Sequence, residues 1–219
     1  MEQALDKVAK HYTETLRRHG TVPLSVGWKD EASQRLRFEK LAQVLDSRKA
    51  SKASKASKGR VSCNDFGCGY GAMFHYLDQL DEVTLEHYYG YDISEEMLTA
   101  ARKAIPDPRA EFICASQVTQ EVDYSFVSGT FNVKIDASDE QWGEYMKDTL
   151  MDMSKLSRVG LAFNALSTYV DWKEKHLYYA DPFMFFDFCK RNISRYVSLL
   201  HDYPLFEWTI LVRKEIKLI

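Results

Sequence analysis

The sequence has few cysteines, no long hydrophobic run and no large excess of one charge. Its four cysteines, at positions 63, 68, 114 and 189, form no Cys-x-x-Cys pair, which counts against a metal site. No apolar run can span a bilayer, and the first residues lack a signal-peptide pattern. The net charge of −3 gives no general attraction to nucleic acid or to anionic membranes. We therefore expect a reduced, cytoplasmic protein without a metal, a nucleic-acid partner or a membrane segment.

What is present is enough for a folded domain: 219 residues, of which 45% are hydrophobic. Apolar spacing predicts one helix over Glu2–His19 and a second helix capped by Asp30. Residues 48–59 repeat Ser-Lys-Ala and cannot bury a core face, so they are predicted to be a solvated linker; without aromatics they make a poor nucleic-acid arm. The expected organisation is an N-terminal helical cap (1–47), this linker, and a main domain (60–219).

The main domain begins with Val61–Ala72, whose pattern predicts a strand, a glycine turn and the start of a helix. Gly67, Gly69 and Gly71 allow a sharp turn and let a ligand lie against the main chain, where a Cβ would clash. The following helix N-terminus offers free N–H groups and the positive end of its dipole. The stretch therefore predicts a cradle for a nucleotide-like ligand.

Strand and helix patterns alternate after this turn, with strands ending near Asp92, Ala115, Ser128 and Ala165. A last helix opens at Pro182, and strands over 196–203 and 206–213 are joined by only two residues. So short a connection requires an antiparallel hairpin. We predict an α/β fold with a doubly wound, mostly parallel sheet and an antiparallel last strand.

Two acidic residues bear on the identity of the ligand. Asp65 stands two residues before the first glycine, where a carboxylate can meet an ammonium group. Asp92 ends the second strand, where it can accept hydrogen bonds from both hydroxyls of a ribose. Gly67, Gly69 and Ala72 also satisfy the dinucleotide pattern G-x-G-x-x-A, so a nicotinamide-dependent oxidoreductase remains an alternative.

The segment Asp65-Phe-Gly-Cys-Gly-Tyr-Gly71, followed by Tyr89-Gly-Tyr-Asp-Ile-Ser-Glu-Glu-Met97, resembles the class I S-adenosylmethionine-dependent methyltransferases. The resemblance extends from about Val61 to the end of the chain. It implies a seven-stranded Rossmann-like sheet, S-adenosylmethionine as cofactor and S-adenosylhomocysteine as product. Segments 128–132, 162–164 and 201–203 are similar to a group of bacterial small-molecule or sugar-type methyltransferases. The implied activity is in-line transfer of a methyl group to an oxygen or nitrogen of a small molecule.

The resemblance also implies roles for individual residues. Gly67, Gly69 and Gly71 back the methionine part of the cofactor, Asp65 lies near its ammonium group, and Asp92 holds the ribose hydroxyls. The other expected cofactor contacts are Ile93 and Met97 on the adenine, Ser116 and Gln117 after the third strand, Ser128 beside the transferred methyl, and Trp28 and Arg37 from the cap. Arg37 is expected on the cofactor carboxylate. Ser116 departs from the acid that the family often has at its position.

The catalytic and acceptor-binding candidates lie in segments expected at the carboxyl ends of the strands. His201, oriented by Asp202, is the first candidate base and His176 the second, although either could be an ordinary surface histidine. Thr168–Tyr179 lacks a helix period and is predicted to be a lid. The candidate acceptor contacts are Asn132, Asn164, Tyr169, Trp172, Tyr178, Tyr179 and Tyr203. The asparagines could equally satisfy turns, and the aromatics could equally pack the lid down.

Three functions stay open on these grounds: a small-molecule methyltransferase, a nicotinamide-dependent oxidoreductase and a non-catalytic cofactor-binding module. Methylation of nucleic-acid bases is disfavoured because Ser128-Gly-Thr-Phe stands where such enzymes carry Asn/Asp-Pro-Pro and an aromatic residue. The sequence leaves the acceptor and the oligomeric state undetermined.

Overall fold

A computed structural model of the chain describes residues 1–45 and 59–215. Except for Gly59, the predicted linker at 48–59 lies outside the described residues. The helices are α1 (Glu2–His19), α2 (Glu31–Ala42), α3 (Ala72–Asp78), α4 (Glu95–Ala104), α5 (Asp139–Leu156) and α6 (Pro182–Asn192), with a short 3-10 helix at Pro23–Val26. The strands are β1 (Gly59–Phe66), β2 (Val83–Asp92), β3 (Ala110–Cys114), β4 (Val122–Val127), β5 (Ser157–Leu166), β6 (Tyr196–Leu200) and β7 (Glu207–Arg213).

The seven strands form one sheet in the order β3-β2-β1-β4-β5-β7-β6. Strand β7 runs antiparallel to both of its neighbours, and the other pairs are parallel. The predicted mostly parallel sheet with an antiparallel last strand is thus confirmed. It differs from the dinucleotide fold, in which the sixth strand lies directly beside the fifth, because here the antiparallel β7 lies between β5 and β6. The carboxyl ends of β1 to β6 meet at one edge, where ligand sites of such sheets form.

Helix starts follow the capping signals in the sequence. The side chains of Asp30, Ser94, Ser138 and Asp181 each accept a hydrogen bond from an N–H in the first turn of the helix that follows. Pro182 occupies the first position of α6, where its missing N–H costs nothing. These local bonds satisfy donors that a helix end otherwise leaves free, so the helix starts could be predicted from the sequence.

Apolar side chains cover both faces of the sheet. On one face, α5 and α6 bury aromatic residues such as Trp142, Phe185 and Trp208, and α1 adds Val8 to the same cluster. On the other face, α2, α3 and α4 pack on the sheet, with Phe38 as one contribution from α2. The two N-terminal helices therefore lie on opposite faces. The chain between them crosses the edge where the parallel strands end.

Two connections depart from the expected pattern. Residues 115–121 join β3 to β4 without a helix, and their backbone is held by side chains: Asn64 Nδ2 donates to Gln120 O at 2.9 Å, and the Tyr91 hydroxyl accepts the N–H of Gln120 at 3.1 Å. Strand β6 ends at Leu200 instead of Tyr203, so the hairpin connection spans 201–206.

None of the helices in the described residues is both long and apolar enough to cross a bilayer.

Candidate active site

The glycine turn joins β1 to α3. Gly67 has φ +75°, and a Cβ there would lie 2.0 Å from Thr130 Oγ1. The Thr130 side chain, just after β4, therefore packs directly against the backbone of Gly67. At Gly71 a Cβ would lie 2.6 Å from the Ile105 side chain. Gly71 thus serves the close packing of α3 against the end of α4. The expectation that Gly71 backs the ligand is corrected accordingly.

Asp92 ends β2 directly beside this turn. Its Oδ2 accepts the N–H of Gly69 at 2.9 Å, and its Oδ1 accepts the N–H of Ser94 at 2.8 Å. Burial raises the pKa of Asp92, while the hydrogen bonds from Ser94 and Gly69 oppose the rise. The tips of two adjacent parallel strands thus place an acid against the glycine backbone, the arrangement that the two motifs predict.

A cavity opens in front of Asp92 and the turn. Its volume is only about 60 Å³, well below that of a typical small-molecule site. Helix α1 therefore closes tightly over it. The lining residues are Leu5, Val8, Tyr12, Val26, Phe66, Gly67, Gly69, Asp92, Ile93, Met97, Ser128, Gly129, Thr130, Trp142 and Tyr145.

Two further spaces adjoin this cavity, one at each end. Toward β3, a wider space shares Ile93 and Tyr145 with the cavity and adds Ser116 and Gln117. Toward the N-terminal cap, a narrow space shares Gly67 and Ser128 and adds Asp65 and Trp28. The buried Ser128 Oγ has no hydrogen-bond partner within residues 1–45 and 59–215, which is costly unless a ligand supplies one. The three spaces together suit an elongated ligand with polar groups at both ends.

Polar contacts fasten α1 above the cavity. The hydroxyls of Thr13 and Ser94 lie 2.8 Å apart, and Arg17 Nε donates to Glu96 at 2.9 Å. Burial and the nearby Asp92 charge raise the pKa of Tyr12, so its hydroxyl stays protonated at neutral pH. The Arg17 pair is exposed to solvent and contributes little to stability. The apolar contacts of Val8, Leu5 and Tyr12 with the core therefore hold α1 in place as well.

Arg37 does not reach the cavity. Its guanidinium forms a bidentate pair with Glu207 at 2.8 and 3.0 Å and lies 3.7 Å from the centre of the Trp28 ring. The side chains of Arg37 and Glu207 are only 8% and 1% exposed. The expectation that Arg37 binds the cofactor carboxylate is therefore corrected: the residue ties α2 to β7. Glu207 was not among the predicted residues, although a carboxylate at the head of an apolar strand signals a buried partner.

Asn132 and Asn164 belong to the same buried network. Their Nδ2 atoms donate to Glu207 at 3.3 and 3.2 Å, respectively. Asn164 Oδ1 accepts the N–H of Gly129 at 2.6 Å, and Asn132 Oδ1 accepts the N–H of Leu166 at 3.0 Å. Both amides are thus occupied by the protein, which corrects their expected role as acceptor contacts. They hold the loops after β4 and β5 in place.

The candidate bases also lie away from the cavity. His201 is exposed with its ring 5.8 Å from that of Tyr169, and Asp202 accepts from Lys40 Nζ at 2.9 Å instead of orienting His201. The exposed His176 lies near His11 of α1, whose pKa is lowered by burial and then by the His176 charge. Neither candidate base lines the cavity, nor does Asp202. Their assignment as catalytic bases is corrected.

The predicted lid, Thr168–Tyr179, is an irregular segment that packs on the protein itself. Tyr178 is buried and its N–H donates to Asn132 O at 2.8 Å, while the Tyr179 hydroxyl accepts the N–H of Glu174 at 2.9 Å. Trp172 is 66% exposed. Tyr169 is exposed, and Tyr203 is buried with its hydroxyl hydrogen-bonded to that of Thr209. The cavity lining includes none of Tyr169, Trp172, Tyr178, Tyr179 and Tyr203. The packing alternative describes the buried Tyr178 and Tyr203, whereas Tyr169 and Trp172 are exposed and neither pack against a core nor line the cavity.

Comparison with known proteins identifies the family. Residues 64–134 match the family described as a methyltransferase domain. The protein "Putative methyltransferase Rv1506c" of Mycobacterium tuberculosis (strain ATCC 25618 / H37Rv) is 47% identical over an alignment that covers 70% of this chain and 93% of that protein. The chain belongs to the class I S-adenosylmethionine-dependent methyltransferases. S-adenosylmethionine is therefore the cofactor of this methyltransferase and S-adenosylhomocysteine its product.

Solved structures agree with this methyltransferase in fold. Magnesium protoporphyrin IX methyltransferase (ChlM) from Synechocystis PCC 6803, with bound S-adenosylmethionine, has a TM-score of 0.60 at 16% identity, and the match covers 97% of each chain. The plantazolicin methyltransferase BpumL, in complex with S-adenosylhomocysteine, has a TM-score of 0.56 at 14% identity and covers 98% of this chain and 99% of its own. At such low identity the likeness concerns the fold alone.

The residues of the cavity fit the cofactor of the methyltransferase. Asp92 offers oxygens for hydroxyl groups, the unpartnered Ser128 Oγ offers a hydrogen-bonding group, and Asp65 offers a carboxylate at the narrow end. Phe66 and Met97 add apolar surface between them. Sequence reasoning missed Tyr12, Val26 and Thr130 in the lining, because no motif connects them with the glycine turn.

Proposed function

We propose that this methyltransferase transfers its methyl group to a nitrogen or an oxygen of a small molecule, such as a sugar-like or other natural-product metabolite. The observation that carries the proposal is the closed cavity at Asp92, roofed by α1 and the 3-10 helix. A roof of this kind suits an acceptor small enough to be enclosed.

Within this proposal, the protein mainly aligns the reactants and excludes water. When bound, the cofactor supplies a methyl group that its sulfonium has already activated. We assign Asp92 to the ribose hydroxyls, Ser128 to the region of the transferred methyl and Asp65 to the ammonium group. Good alignment alone is worth about 7–11 kcal/mol of the barrier. Val8 and Trp28 add apolar surface above the site that keeps water out.

The lining of the cavity favours nitrogen over a hydroxyl oxygen. Its titratable side chains among the described residues are Asp92, Tyr12 and Tyr145. Burial raises the pKa of Tyr145 to about 12 and also raises that of Tyr12, so neither is deprotonated to act as a base near neutral pH. A hydroxyl acceptor needs a base, whereas an amine only has to arrive unprotonated. This chemistry supports an amine acceptor.

Transfer of a trideuterated methyl group tests the proposal. The protein is incubated with labelled S-adenosylmethionine and a panel of amines, amino sugars and matched hydroxyl compounds, and mass spectrometry detects the label. We expect labelled amines, loss of labelling in Asp92→Asn, and no loss in the control Asp187→Asn, whose exposed carboxylate pairs with Arg191 on α6. Binding of S-adenosylhomocysteine without transfer to any compound would instead favour a non-catalytic module.

A further inference from the structure

Asp65 and Tyr88 meet beneath the glycine turn. The Tyr88 hydroxyl donates to Asp65 Oδ2 at 2.5 Å, and the two residues are 2% and 0% exposed. Strand register explains the contact: Cys63 of β1 pairs with Tyr88 of β2, and Asp65 pairs with Gly90. Side chains two residues apart on a strand share a face, so the phenol reaches along β2 toward Asp65.

The ring of Tyr88 is held in one orientation. Phe74 and Phe112 meet it edge-on at centroid distances of 5.4 and 6.0 Å. Gly90 makes room for this packing, because a Cβ there would lie 2.8 Å from the Phe112 ring. The hydroxyl of Tyr88 is therefore aimed at Asp65 by its surroundings.

The surroundings of Asp65 disfavour its ionised form. Burial raises the pKa of Asp65 to about 7, the Tyr88 hydrogen bond opposes the rise and the Asp92 charge adds to it. The other titratable groups facing Asp65 are the buried thiols of Cys63 and Cys68, whose pKa values burial raises, so both stay neutral. Within the described residues, Tyr88 is thus the side chain whose hydrogen bond favours the charged form of Asp65.

We propose that Tyr88 is a positioning residue for cofactor recognition: its hydroxyl stabilises the ionised Asp65 carboxylate at the narrow space beside Ser128, where that carboxylate binds the ammonium group of the cofactor. The proposal rests on S-adenosylmethionine being the cofactor. When the ammonium group binds, any Asp65 that carries a proton releases it to solvent. Affinity therefore rises with pH until Asp65 is ionised in the free protein, and Tyr88 sets the midpoint of that rise.

Isothermal titration with S-adenosylhomocysteine from pH 5.5 to 9.5 measures this midpoint, which lies near pH 7 if the pKa of Asp65 sets it. We expect Tyr88→Phe to move it upward by roughly 1–2 pH units, the effect of removing a hydrogen bond to a charged group. Asp65→Asn should abolish the rise. The matched control is Tyr91→Phe on the same strand, whose hydroxyl bonds the backbone of residues 119 and 120 instead, and it should leave the midpoint unchanged.

A second ligand separates recognition of the ammonium group from folding. 5′-Methylthioadenosine lacks the amino-acid end, so its affinity should not show the Asp65-dependent rise in any variant. A uniform loss of S-adenosylhomocysteine affinity at every pH in Tyr88→Phe would mean that Tyr88 only packs, and would overturn the proposal. Failure of both ligands to bind the unaltered protein would remove the cofactor assignment itself, a result distinguishable from a fixed midpoint.

Discussion

The substitution Glu207→Gln tests the buried network that joins α2 to the sheet. Glu207 accepts two hydrogen bonds from Arg37 and one each from Asn132 and Asn164, and the Arg37 pair is almost wholly buried. A glutamine leaves the guanidinium charge buried without a counter-charge and turns an NH₂ group toward donors. Removing one partner of a buried pair costs about 3–5 kcal/mol. That is a large share of the roughly 5–15 kcal/mol stability of a typical protein.

Urea denaturation followed by circular dichroism measures this loss. For a chain of this size, the melting temperature should fall by roughly 6–20 °C. Affinity for S-adenosylhomocysteine should fall as well, because Asn164 would lose the partner that orients it toward Gly129. The control Arg191→Ala, in an exposed pair with Asp187, should leave stability almost unchanged. A loss in Glu207→Gln no larger than in this control would refute the reasoning.

Three further predictions concern single residues. Ser128→Ala removes an unpartnered hydroxyl, so it should leave the free energy of unfolding unchanged or raise it by about 1 kcal/mol. The same substitution should weaken S-adenosylhomocysteine binding in calorimetry, and equal binding would argue against a ligand contact. Gly71→Ala should destabilise the protein by about 1–3 kcal/mol, because residue 71 has φ +84° and its new Cβ would lie 2.6 Å from the Ile105 side chain. Urea denaturation measures the loss, and an unchanged denaturation midpoint would contradict this prediction. Without cofactor, the Asp65 contribution to stability should decline from about pH 4 to 7, by at most roughly 4 kcal/mol, because folded Asp65 keeps its proton longer than the unfolded chain does. In urea titrations Asp65→Asn should lose this contribution and keep that of Asp92, whose pKa burial also raises, and a slope equal to that of the unaltered protein would exclude Asp65 as a cause.

Local signals explain why much of the fold could be predicted. The caps at Asp30 and Ser138 and the turn at Gly67–Gly71 act through neighbouring residues, so their effect is visible in a short stretch of sequence. The approach of Asp92 to Gly69 was also predictable, because adjacent parallel strands bring their carboxyl ends to one edge.

The rest of the site depends on contacts between distant parts of the chain. Arg37 and Glu207 are 170 residues apart, and no periodicity or motif links them. Once they pair, they recruit Asn132 and Asn164, which in isolation look like ligand-binding residues at strand ends. The loop carrying His201 meets α2 through the contact between Lys40 and Asp202, a pairing that sequence patterns do not encode.

A crystal structure of the complex with S-adenosylhomocysteine tests the central claim most directly. The account predicts the ribose hydroxyls within hydrogen-bonding distance of Asp92, the amino-acid end between Asp65 and Ser128, and the adenine toward Ile93 and Gln117. Ligand density elsewhere on the protein, with the space between Asp92 and Gly67 filled by α1 side chains, would contradict it.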